Sequence, residues 1–103
     1  MIIRHDRSDR QLRRVTNIVD ESDSYWLKCR FDAPPAGTAL EGVCGNGDSG
    51  GPALIQAGSE LLLAGVSSWQ NQRGKPLGLY GCIEHYARVS PYVGWIRATC
   101  RDL

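Results

Sequence analysis

The chain has no apolar run long enough to cross a bilayer as a helix: the longest, such as LLLAGV at 61–66, fall far short of the roughly 20 residues a span needs. Net charge is nearly absent as well, since twelve Lys and Arg oppose eleven Asp and Glu for a formal +1. That balance leaves neither a basic stripe for nucleic acid nor an acidic tail, so charge selects no partner. There is no internal repeat and no low-complexity tract. The opening MIIRHDRSDRQLRR is too charged for the apolar centre of a signal peptide, so nothing in it directs export. The four cysteines, Cys29, Cys44, Cys82 and Cys100, show neither C-x-x-C nor H-x-x-x-H spacing. Zinc is therefore disfavoured, and no ligand cluster calls for another metal or an organic cofactor. An even count points to paired disulfides, with four buried thiols as the alternative.

What is present reads as one small domain of 103 residues with room for a single core. QLRRVTNIVD at 11–20 carries Val15, Thr16, Ile18 and Val19 without a helical stripe, and SYWLKCRF at 24–31 is aromatic and roughly alternating. Both read as strands, separated by a turn at ESD. DAPPAGTALEG is a Pro- and Gly-rich loop, and the Ala57–Ser59 step between PALIQ and ELLLAGVSSW looks like a hairpin connection. QNQRGKPLG at 70–78 reads as a surface loop ahead of a strand, LYGCIEHYARV. Ser90 and Pro91 then predict a helix start with the hydroxyl as N-cap. Tyr92, Val93, Ile96 and Cys100 share one face of a helix over about 91–100. The sum is an all-β, antiparallel domain of about five or six strands closed by one short helix, behind a polar segment at 1–10.

Between loop and hairpin, residues 44–54 read CGNGDSGGPAL. A serine hydroxyl is a poor nucleophile unless its geometry is fixed and donors await the charge that builds on its target. Ser49 lies between Asp48 and the pair Gly50-Gly51, in a tight turn where the N–H groups of Gly47 and Ser49 can point at one spot as an oxyanion hole. The same turn can also serve as a plain connection between strands.

GDSGGP, followed after a hairpin by GVSSW and then by YARVSPYVGWI, resembles the second half of the trypsin-like, chymotrypsin-fold serine proteases in order and spacing. The similarity runs from about Leu12 to Leu103, is weakest before Phe31, and looks like a bacterial-type branch. It implies an incomplete second barrel of the chymotrypsin-like type over 11–103, a protein or peptide substrate, and a secreted or periplasmic setting. Ser49 matches the nucleophile, and Gly47 with Ser49 the oxyanion-hole donors. Asp48 resembles the acid that pairs with a freed amino terminus in activated members, although a purely local turn role fits it too.

Ser68 and Trp69 resemble the edge along which an extended substrate pairs its backbone, with Trp69 as packed core the alternative. The pocket departs from trypsin: Gly42 and Val43 stand where basic-specific members place an Asp, and Gln70 replaces the glycine at the pocket mouth. Glu84 falls where some members carry an acid on the opposite wall, and strand alternation turns it to the same side as Tyr86. The resemblance thus implies a preference for a basic side chain, against the alternative of a solvated carboxylate. Cys44 and Cys82 resemble the pair bridging the pocket walls, a link worth roughly 4 kcal/mol in the chain-entropy model. Cys29 and Cys100 match no family pair, and either bond each other or stay free.

The serine mechanism also needs a histidine base and a carboxylate to orient it. In the family both lie on an upstream barrel, which these residues do not contain. His5 sits in the charged amino-terminal segment, and alternation turns His85 away from Glu84 and Tyr86. The hairpin that opens the family's second barrel is also missing, which leaves an unpaired edge. The chain is thus expected to be a serine endopeptidase at the level of family, inactive alone, and active with a separate chain or further sequence that carries the His and Asp. The alternative is a non-catalytic module that binds peptides or proteins.

Overall fold

The computed structural model describes residues 2–4, 11–45, 47–71 and 79–100. A short ribbon pairs β1 (Ile2–Arg4) with β2 (Leu12–Arg14). The main sheet holds β3 (Glu21–Ser22), β4 (Trp26–Arg30), β5 (Pro52–Ala57), β6 (Glu60–Asn71) and β7 (Ile83–Arg88). Its order is β3-β4-β7-β6-β5, all antiparallel. A 3₁₀ turn at Ser90–Tyr92 leads into the terminal helix α1 (Val93–Thr99). The result is an antiparallel half-barrel with a short carboxy-terminal helix, as a chymotrypsin-like barrel would supply.

Several boundaries differ from those the sequence predicts, each for a local reason. Strand structure in 11–20 stops at Arg14, because Thr16 and Asn17 are stitched to the 38–42 loop instead of the sheet. Thr16 donates its N–H to the Leu40 carbonyl (2.9 Å), and Asn17 Nδ2 donates to the Gly42 carbonyl (3.3 Å). The expected ESD turn lies later in the chain. Glu21 and Ser22 pair with β4, and the Asp23 carboxylate accepts the N–H groups of Tyr25 (2.9 Å) and Trp26 (2.8 Å), mimicking a backbone turn. Ser90 is not an N-cap, since its hydroxyl accepts from Arg88 Nη2 instead (3.3 Å). Gln70 and Asn71 finish β6, and the rest of the expected 70–78 loop, like His5, lies outside the described residues.

Strand alternation sorts the side chains of the sheet. The pairs Leu27↔Tyr86 and Cys29↔Glu84 line the inner face, and Lys28↔His85 the outer one. A small core forms where Cys29, Cys44 and Tyr86 meet, with Leu27 and Ala53 packed against it. Beyond that core the half-barrel is open. No residue of α1 is buried, and Ile55, Leu62 and Leu63 are exposed beside a groove of about 630 Å³ that runs to Val89 and Val93.

The expected Cys44–Cys82 bridge is not formed, nor is one between Cys29 and Cys100; all four are thiols. Cys44 points into the core, its Sγ 3.7 Å from the Tyr86 hydroxyl, rather than across to a second wall. Burial pushes the Cys29 thiol up to about 12 and the Cys44 thiol up to about 11. Neither forms thiolate near neutrality, so neither is a nucleophile there. In native protein a thiol-reactive dye at about pH 7.5 should therefore label Cys100 first, with Cys29 and Cys44 reacting only on unfolding. Rapid native labelling of Cys29 or Cys44, read by peptide mapping, would contradict this packing.

Candidate active-site turn and substrate edge

The turn that carries Ser49 is built by two small closures and one anchor. Asp48, which is buried, accepts the Gly45 N–H on Oδ2 (2.7 Å) and donates its own N–H to the Gly45 carbonyl (3.2 Å). Its carbonyl in turn accepts the Gly51 N–H (3.0 Å). The far side is fastened to β6, where Gly50 donates to the Ser67 carbonyl and Ser67 to the Gly51 carbonyl, both at 2.9 Å. Ser49 stands exposed at the apex. Gly47 and Gly50 both take φ of +88°, in the left-handed region where a side chain is strained, so the spacing of glycines around the Asp-Ser pair is a backbone requirement. Neither Gly47 nor Ser49 donates its N–H to another described residue. Among the described residues, the Ser49 hydroxyl and the N–H groups of Gly47 and Ser49 are thus left without a partner at the turn. Asp48 has the local turn role that the sequence allowed as an alternative.

Beside this turn, the inner face of β7 carries an acid that is far from solvated. Glu84 is 1 % exposed; Ser67 Oγ donates to its Oε1 (3.0 Å), and Oε2 has no hydrogen-bond partner among the described residues. Burial pushes its carboxyl above the ordinary range, and the polar side chains of Gln70, Ser67 and Cys44 offset part of that. Gln70 turns its amide inward to donate to the Cys44 carbonyl, so it bridges β6 to the buried segment holding Gly42 and Val43. Glu84, Gln70 and the segment before the turn are thus brought together, while Cys82 is not joined to them by a disulfide.

Trp69 goes the other way, and a bulge is the cause. Ser67 pairs with Tyr86 and Trp69 with His85, so one extra residue, Ser68, is inserted in β6. An insertion of one residue reverses alternation, which is why Ser67 faces the core and Trp69 the outside although they are two apart. There Trp69 stacks on His85 (3.7 Å between centroids, 14° between planes), and Trp26 meets both rings edge-on at 6.2 Å and 6.0 Å. Trp69 remains 46 % exposed, so it is not core. Ser68 is exposed as well, and β5 pairs with β6 only as far as Val66, so no strand lies on that side of Ser68 and Trp69 among the described residues.

A protein-family model described as Trypsin matches residues 36–96, more than half of the chain. The chain belongs to the trypsin family. Within this trypsin-family chain the matched block spans the Ser49 turn, the β5–β6 hairpin, β7 and most of α1. No solved structure matches the chain significantly. Two features of the site escape sequence reasoning: the Ser67 hydroxyl on Glu84, and the bulge at Ser68. The doubled serine of GVSSW is the available signal, since a strand with an extra small polar residue is where alternation slips.

Proposed function

We propose that this trypsin-family chain forms the nucleophile-bearing half of a serine endopeptidase and is inert until a histidine and a carboxylate reach Ser49 from outside residues 1–103. The observation that supports it is the turn itself: Ser49 exposed at its apex, with the N–H groups of Gly47 and Ser49 donated to no other described residue. In the complete site Ser49 Oγ attacks the peptide carbonyl carbon, and its proton passes to the supplied imidazole. The carbonyl oxygen takes the negative charge and receives the two N–H groups, and the amine leaves with the proton to give an acyl-enzyme that water hydrolyses. His85 does not serve as the base, since it lies on the outer face, stacked on Trp69. Substrate backbone lies along Ser68 and Trp69 as an added strand. Gly42 and Val43 form the base of the side-chain pocket, Gln70 narrows its mouth, and Glu84 favours a basic side chain.

The test is hydrolysis of fluorogenic peptide amides by the chain alone, by the chain with a His- and Asp-bearing trypsin-family barrel, and by that mixture with Ser49→Ala or Glu84→Gln. Turnover should need the added barrel and Ser49, and Glu84→Gln should remove the preference for Arg or Lys before the cleaved bond. A second reading, a non-catalytic peptide-binding module, is favoured by the exposed Ser68–Trp69 edge. Peptide binding without turnover in every mixture would select it.

A further inference from the structure

We infer that His85 is the positioning residue of the peptide edge: its neutral ring, flat against Trp69, fixes the indole that borders Ser68, and charging that ring releases it. The inference rests on the peptide-edge reading of Ser68 and Trp69 given above.

Three observations on separate strands converge on this. The bulge at Ser68 delivers Trp69 to the outer face directly opposite His85. The imidazole stacks on Trp69 at 3.7 Å, and Trp26 meets both rings nearly at right angles, His85 at 6.0 Å and Trp69 at 6.2 Å. His85 is itself buried, with Nδ1 3.2 Å from the Ile83 carbonyl oxygen, while Trp69 is half exposed. An exposed indole on the stretch of β6 beyond its pairing with β5 has several rotamers available, and the flat ring beneath it, with the edge of Trp26, selects one.

The charges that bear on the imidazole decide what a proton would do. Lys28 of β4 stands directly across from it in register, and Asp23 of the adjoining turn acts in the opposite sense, tied to Lys28 at 3.5 Å. β6 contributes no charged residue between Ser67 and Asn71, and β7 contributes the Ile83 carbonyl. Burial outweighs these and holds the imidazole below its ordinary range. Burial thus opposes the charged ring in this stack; a proton draws the ring toward water, and Trp69 loses its flat partner as it goes.

The experiment uses the full chain and three variants, His85→Phe, His85→Ala and Trp69→Phe, from about pH 7.5 to about pH 5.0, across which an ordinary imidazole charges. NMR follows the imidazole C–H of His85, distinguished from His5 by its absence in His85→Phe, and the indole N–H of Trp69, assigned with Trp69→Phe. Fluorescence anisotropy of a fluorescein-labelled Ala-Ala-Ala-Arg peptide reads the edge. The wild type should bind about tenfold more weakly at the acid end, with the Trp69 and His85 resonances moving together. His85→Phe, which keeps a flat partner without a charge, should bind as the wild type does at about pH 7.5 and lose the pH dependence; His85→Ala should bind weakly throughout. Equal pH dependence in the wild type and His85→Phe, or a Trp69 resonance that ignores the His85 titration, would overturn the inference while leaving the peptide edge standing. Failure of the folded wild type to bind the peptide at any pH would overturn the edge reading and the role of His85 at it together.

Discussion

Replacing Glu84 with Gln will raise the thermal unfolding midpoint of this chain at neutral pH and leave it little changed near about pH 4. Glu84 is closed off from solvent with one oxygen satisfied by Ser67 and the other by no described residue, so its ionised form is carried at a cost. Because burial raises its pKa in the folded chain above the ordinary 4.5, the folded state binds the proton more tightly than the unfolded state does. Stability is then fullest below 4.5, falls as pH climbs through the window up to the raised value, and stays reduced above it. Gln keeps the shape and the Ser67 contact without the charge. Gln still leaves a polar atom at the unpartnered position, so the gain is that of the lost charge alone, and about 1 kcal/mol of it moves the midpoint by about 4–8 °C in a domain of this size.

His85 pulls in the other direction. Its pKa is lowered by burial, so the unfolded chain binds the proton more tightly, and stability is lost as pH falls from 6.5 through the lowered value. With Glu84 neutralised, the stability of the variant should rise steadily between about pH 5 and pH 7, where the wild type shows the two opposed slopes. Differential scanning calorimetry across that range checks both. Equal midpoints for wild type and Glu84→Gln at about pH 7, or a gain that persists undiminished at about pH 4, would show that Glu84 is not the buried, partly satisfied acid described above.

The larger effect belongs to turnover. Peptide hydrolysis by the chain alone should lie on the order of 10⁴-fold or more below that of the same chain joined by a barrel carrying the His and Asp, because removal of a triad member leaves only binding and oxyanion stabilisation. Ser49→Ala in the joined assembly should cost about as much as leaving the barrel out, since residues that act as one unit do not contribute additively. That equivalence separates a serine mechanism from general acceleration by a bound partner. If the assembly is active and Ser49→Ala keeps its activity, another group attacks the carbonyl.

The parts of this molecule that could be read from sequence are those where one local rule dominates. GDSGGP announced its turn because left-handed glycines at 47 and 50 and a buried Asp at 48 answer purely local requirements. The β5–β6 hairpin, the SYWLKCRF strand and the terminal helix followed from alternation, a Gly-containing connection and periodicity. What escaped depended on registration between distant segments. Thr16 and Asn17 belong to the 38–42 loop, which no pattern in VTNIVD records. Trp69 faces out only because the strand slips at Ser68 against β7. Glu84 and His85 were correctly turned to opposite faces by alternation, yet the depth at which Glu84 is buried depends on Ser67 and the segment around Cys44, both distant in sequence. The disulfide was the clearest miss. An even count of cysteines and a resemblance to a family pair do not say which way a thiol points, and Cys44 points at Tyr86.

If the Ser49 turn keeps a reactive geometry and lacks only its base, supplying that base should be enough to activate the hydroxyl. A fluorophosphonate probe, which reports an activated serine, would be applied to three samples: the folded chain alone, the chain with a His- and Asp-bearing barrel, and that mixture with Ser49→Ala. Labelling is expected in the second sample only, at Ser49. No labelling of folded chain in the mixture would contradict the proposal and leave GDSGGP as scaffold; labelling that survives Ser49→Ala would place the reactive serine elsewhere.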